Sequence, residues 1–196
     1  MKWALAIALL LTLGAGTGMA EMLVVDFSSL GITSHPIDVP GGYTLGGVNF
    51  FFDNAGGTDT AAIASNGITI FSGTGSGLTG VLDLTFPSFM RAMTFNFLVG
   101  ADIPQVFDPG AIVILGNGID SLVAVTDASG IGTASLSAVT AFTTANVLLA
   151  PDPNAVLFQM SSLSSETVPE PSTCAFLGYG LLLLGFGSRM LAKRRS

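Results

Sequence analysis

Between Met22 and Met160 the chain alternates short apolar runs with breaks of Gly, Asn, Asp and Pro. The runs read as strands: LVVDF (23–27), YTLGGVNFFF (43–52), GITIF (67–71), VLDLTF (81–86), AMTFNFLV (92–99), AIVIL (111–115), SLVAVT (121–126), ASLSAVTAF (134–142) and AVLFQM (155–160). Several keep the period of two that a half-buried strand requires. Leu82, Leu84 and Phe86 fall on one face, with Asp83 and Thr85 on the other. Met93, Phe95 and Phe97 do the same opposite Thr94 and Asn96. Between AIVIL and SLVAVT, Asn117-Gly118 supplies the positive φ angles of a tight hairpin turn. No long segment in the middle keeps a helical period. The expectation is an all-β domain over residues 21–160, a β-sandwich with a jelly-roll arrangement favoured.

The two ends follow a different pattern. After Met1-Lys2-Trp3 comes the apolar run ALAIALLLTL (4–13), then GAGTGMA with small residues at Gly18 and Ala20. A charged start, an apolar core and small residues before a break predict a secretory signal peptide over 1–20. Signal peptidase would cut it between Ala20 and Glu21. A buried helix is the weaker alternative, because Gly14, Gly16 and Gly18 each lower helix stability. At the other end, the fourteen residues Cys174–Gly187 carry no charge. They span about 21 Å as a helix, short of a bilayer core of about 30 Å. A helix over 172–192 spans it if Arg189 extends its head to the near interface. Lys193, Arg194 and Arg195 then form a basic tail (193–196) on the cytoplasmic side. The polar stretch 161–171 reads as the linker between domain and membrane.

Val168-Pro169-Glu170-Pro171-Ser172-Thr173, the short apolar helix and the terminal basic cluster occur in order on a chain with a signal peptide. As a set they resemble the PEP-CTERM sorting signal of Gram-negative exopolysaccharide producers; a lone Pro-Glu-Pro would not. The resemblance implies handling by an exosortase, a membrane-embedded cysteine transpeptidase, with Pro169, Glu170 and Pro171 recognised as substrate. A physical reason is available in the residues. Two prolines hold the chain extended and remove backbone donors, which keeps the strip open to a protease. VDFSSLG, YTLGGVNFFF and LTFPSFMRAMTFNF more loosely resemble β-sandwich domains found ahead of this signal.

Charge narrows the function classes. Five of the six basic residues lie in the terminal segments. Residues 21–170 hold one Arg against thirteen carboxylates, a net charge of −12. Such a surface repels nucleic acid and anionic lipid, so no nucleic-acid partner is expected. The one cysteine, Cys174, falls in the apolar tail and reads as a small apolar helix residue. The domain is left to stand on its core, for which about 140 residues suffice.

Candidate chemistry is sparse. The single His, His35, stands before Pro36 in a loop-like stretch and reads as a surface residue. GTGSG (73–77) lacks the length and the Lys of a phosphate loop. Neither G-x-S-x-G nor HExxH occurs, and one His with one Cys cannot make a zinc site. The ten Asp mostly stand beside turn-forming residues. Asp53, Asn54 and Asp59 around Gly56-Gly57 are weak calcium candidates, with a plain surface loop favoured. Sugar platforms are typically Trp or Tyr rings, and Tyr43 is the domain's only one.

The expectation is an exported, non-enzymatic structural or interaction module without a resident cofactor. Its anchoring helix would hold it to the membrane until processing delivers it to the cell surface or extracellular matrix. The alternative is a calcium-assisted carbohydrate-binding module that meets exopolysaccharide. A carboxylate-based hydrolase ranks below both.

Overall fold

The fold is nearly all-β and wholly antiparallel. The structure, a computed structural model, describes residues 20–54, 57–75, 77–102, 106–149 and 154–168. Outside these residues lie the segment expected as a signal peptide up to residue 19, Pro169-Glu170-Pro171, the stretch expected as an apolar helix and the cluster Lys193, Arg194 and Arg195. The junction Ala20–Glu21 directly precedes the first strand.

Twelve strands are described: β1 (Met22–Val25), β2 (His35–Pro36), β3 (Tyr43–Leu45), β4 (Val48–Asp53), β5 (Thr60–Ala64), β6 (Gly67–Phe71), β7 (Val81–Asp102), β8 (Val106–Phe107), β9 (Ile112–Gly116), β10 (Ser121–Val125), β11 (Ile131–Leu149) and β12 (Leu157–Thr167). They hydrogen-bond in the order β10-β9-β11-β7-β12-β6-β5-β2. Of the others, β1 pairs with β12, β3 with β4, β4 also with β7, and β8 with β7.

β7 and β11 organise this network because each is long and bent. The first half of β7 pairs with β4 and with the last part of β11. Its second half pairs with β12 and with the first part of β11. The strands therefore fall into two halves, β3-β4-β7-β11-β9-β10 and β11-β7-β12-β6-β5-β2, joined through shared strands. The bend is written in the residues. Pro87 falls where pairing to β11 breaks between Thr85 and Met90, so its missing N–H costs no ladder bond. Arg91 is an extra residue opposite β12, between Met90↔Thr167 and Ala92↔Glu166. One inserted residue flips the buried face. Leu82, Leu84, Phe86 and Met90 are buried before it, Met93, Phe95, Phe97 and Val99 after it.

The buried side chains of both halves form one cluster. Phe27 meets Phe50 at 6.1 Å between ring centroids, Phe95 meets Phe97 at 5.8 Å, and Phe97 meets Phe158 at 6.0 Å. Each such phenyl ring contributes about 1.5–3 kcal/mol by leaving water. This core belongs to the compact unit Met22–Val168.

Several expected elements differ in extent. YTLGGVNFFF is a hairpin rather than one strand, since Gly46 (φ 58°) and Gly47 (φ 82°) make the turn between β3 and β4. VLDLTF and AMTFNFLV are one strand bent between them. LVVDF ends early: Asp26 accepts from the Ser28 amide (3.0 Å) and hydroxyl (2.6 Å), capping a short 3-10 turn at Phe27–Leu30. Residues 161–167, expected as linker, complete β12, because they pair with both β1 and β7 and bury Leu163 and Ser165. The β9–β10 turn is shifted by one residue. The Asn117 amide donates to the Asp120 carbonyl, its side chain accepts from the Ile119 and Asp120 amides, and Gly118 has a positive φ of 85°.

Candidate surface groove

The β5–β6 hairpin and β12, some ninety residues further along the chain, build one groove on the outward face of the second half. In β5 the inward residues are Ala61 and Ile63, which leaves Ala62 and Ala64 outward. In β6 the core takes Ile68 and Ile70, leaving Thr69 and Phe71 outward. In β12, Phe158 and Met160 are buried, leaving Gln159 outward. Register lines these up: Gln159 pairs with Thr69, and Thr69 with Ala62.

The result is a groove of about 310 Å³, completed by Ser34, Asn66 and Leu157. The two alanines keep its floor low. Phe71 stands at one side, half-exposed at 50%. The Gln159 amide nitrogen donates to the Asn66 carbonyl at 3.1 Å, which fixes the side chain against the β5–β6 turn. None of the lining residues ionises, although the surrounding domain is strongly acidic. An apolar ring beside hydroxyl and amide groups can cover a C–H surface and hydrogen-bond neutral polar groups. The lining supplies no acid, base or nucleophile pair.

The sequence-derived candidates sit elsewhere. Asp59 is buried, and its carboxylate serves the protein's own loop. One oxygen accepts from the Gly73 amide (3.1 Å), the other from the Thr79 amide (2.7 Å) and hydroxyl (3.1 Å). The Asn54 side chain donates to the Asp59 backbone carbonyl at 3.3 Å, and Asp53 ends β4 opposite Val81. This is a clamp holding the segment after Phe71, and calcium would have to displace its amide donors. Among the described residues no group of three His, Cys, Asp or Glu converges on a point. His35 is on β2, not in a loop. It pairs with Ile63 and stacks on Tyr43 at 4.4 Å and 19°.

Sequence reading missed Asn66, Thr69, Phe71 and Gln159. A signal existed for two of them: in GITIF, the alternation that buries Ile68 and Ile70 turns Thr69 and Phe71 outward. Nothing in the chain indicated that Gln159 would come beside them.

No family model matches the chain, and no curated protein matches it. Among solved structures it is similar to a family 29 carbohydrate-binding module variant, CBM29-2, at 12% identity and a TM-score of 0.42. That overlap covers 68% of this chain and 91% of the other. A second family 29 module, from Piromyces equi, gives 10% identity and 0.41, covering 69% and 91%. The catalytic domain of a GH87 α-1,3-glucanase gives 10% and 0.38, covering 77% of this chain and 29% of that one.

Proposed function

We propose that the domain is a non-enzymatic binding module of the cell surface or matrix, with the β5–β6–β12 groove holding an uncharged stretch of polysaccharide. In this reading the strands close as a β-sandwich of jelly-roll type, and the groove occupies one of its outer faces. The observation that carries it is the groove's lining: a half-exposed Phe71 beside Thr69, Asn66 and Gln159, without a charge. A sugar ring offers an apolar C–H face and a rim of neutral hydroxyls, and this lining complements both. Acidic polymers are disfavoured by the net charge of −12 over residues 21–170. The size is at the low end for ligand sites, about 300–1,000 Å³, and the walls are open. Binding is therefore weak, with a Kd of about 10 μM to 1 mM.

Calcium has no part in this site, a change from the expectation for a sugar-binding module. The test is binding of the full chain to an array of neutral polysaccharides, with and without chelator. Retention that survives chelator and falls at least tenfold in Phe71→Ala supports the reading. Silence across the array, or retention unchanged by Phe71→Ala, removes it.

Delivery is the second part of the proposal. The Pro169-Glu170-Pro171 set, with the apolar run and basic cluster behind it, is read as the signal for an exosortase-type transpeptidase. Signal peptidase would act at Ala20–Glu21. The ladder of β12 ends at Thr167 and the Val168 amide still donates to the Phe89 carbonyl at 2.8 Å. Proline at 169 cannot donate to a further ladder bond, so the motif starts where pairing has to stop.

A further inference from the structure

A strand at the edge of a sheet presents backbone groups that only another strand or water can satisfy. Five short strands among those described pair with a single neighbour each. β2 has two residues, one of them Pro36 with no N–H; β8 also has two, β3 three and β1 four. β10 is the longest of them, five residues without a charge or a proline, SLVAV. It pairs with β9 and with no other described strand.

The register of β10 on β9 tells which groups face outward. Beyond one end of the ladder the Thr126 amide bonds to the Ala111 carbonyl at 3.0 Å. Beyond the other the Asn117 amide bonds to the Asp120 carbonyl at 3.1 Å. Antiparallel ladders alternate, so with Ser121 opposite Gly116 the intervening bonds to β9 belong to Leu122 and Ala124. Ser121, Val123 and Val125 therefore aim their N–H and C=O groups away from the sheet. Their side chains stand on its outer face, where Val123 is 58% and Val125 54% exposed. Ile112 and Leu148, also outward, extend this apolar strip inward across β9 and β11.

The geometry points to a second copy of this chain as the occupant of the β10 edge, paired antiparallel about Val123. Only the centre at Val123 satisfies both copies completely. Val123 then faces Val123 of the partner as a hydrogen-bonded pair and Ser121 faces the partner's Val125. All three outward N–H groups of each copy meet outward carbonyls of the other, six bonds in all. No charge enters the paired segment itself, Ser121–Val125, in a domain with one Arg against thirteen carboxylates; Asp120 and Asp127 flank it. The same patch serves both copies, so assembly closes at two and does not run on into fibres. Five paired residues bury well under the roughly 800 Å² per partner of a standard interface. The dimer is therefore concentration-dependent, and it tightens as salt screens the repulsion between two acidic domains. Nothing in this depends on the groove, which lies on β5, β6 and β12.

The test uses the full chain in detergent, with Cys174→Ser as background. Paired hydrogen-bonded positions have Cα atoms about 5.5 Å apart, within the range a disulfide needs. Val123→Cys should give a disulfide dimer on mild oxidation, at least tenfold more than Val139→Cys, which is 96% exposed but off the edge. Val123→Pro removes an N–H that bonds nothing within the domain. It should raise the dimer dissociation constant in sedimentation at least tenfold with an unchanged melting temperature. Equal cross-linking at 123 and 139, no cross-link at 123, or sedimentation unaltered by Val123→Pro overturns the proposal.

Discussion

Replacing Asp59 with alanine tests the clamp beside the groove. The side chain is 3% exposed, and its carboxylate accepts from the Gly73 amide, the Thr79 amide and the Thr79 hydroxyl. A hydrogen bond to a charged group contributes about 1.5–3 kcal/mol net. Three such bonds set an upper limit near 9 kcal/mol. The true cost is lower, because Gly73 and Thr79 lie on an exposed loop and water can reach both amides once the carboxylate is gone. Taking about 1 kcal/mol per bond gives a loss of about 3 kcal/mol. For a domain of this size that is about 6–12 °C in Tm. The assay is urea unfolding followed by far-ultraviolet circular dichroism. Thr79→Ala alone should cost about 0.5–1 kcal/mol and almost nothing once Asp59 is already alanine, since the pair shares one network. A loss below 1 kcal/mol for Asp59→Ala, or full additivity with Thr79→Ala, would refute the clamp.

Gly132 lies against the far end of the Phe97 ring, and a Cβ there would fall within 3 Å of three ring carbons. Gly132→Ala should cost about 1–3 kcal/mol by overpacking, read from the urea midpoint. Chelator should leave the melting temperature of the domain unchanged, since Asp59 spends its oxygens on amides; a drop of several degrees would restore calcium. The intact mass of the mature protein from its native host should start at Glu21 and end near Pro171. A mass running on to Ser196 in the membrane fraction would leave an ordinary anchored protein and end the exosortase reading.

Legibility followed the length scale of the determinant. GITIF is β6 to the residue, and the faces read for 82–86 and 93–97 are the buried faces. Both depend on neighbours within one strand. β5, TAAIA, escaped because alanine is a poor strand former; it is held by β6 on one side and β2 on the other. SSLSSET escaped because its strand character comes from pairing with β1 and β7, while only Leu163 among its side chains is a core hydrophobe. The fused β7 escaped because Pro87 reads as a break, and only the register shows that its N–H is not needed. The groove was least legible of all. Its Gln159–Asn66 contact joins residues 93 apart, a distance no local pattern spans. A related reason applies to the calcium candidates: Asp53, Asn54 and Asp59 are near in sequence, but Asp59 turns its oxygens to residues 14 and 20 further on.

The most direct test of the central claim is a chemical-shift map of the isotopically labelled full chain in micelles, titrated with a neutral oligosaccharide that scores on the array. The account predicts shifts confined to Ala62, Ala64, Asn66, Thr69, Phe71 and Gln159, saturating in the micromolar-to-millimolar range and absent in Phe71→Ala. Shifts centred on the β9–β10 face, or spread evenly over the domain, would contradict it.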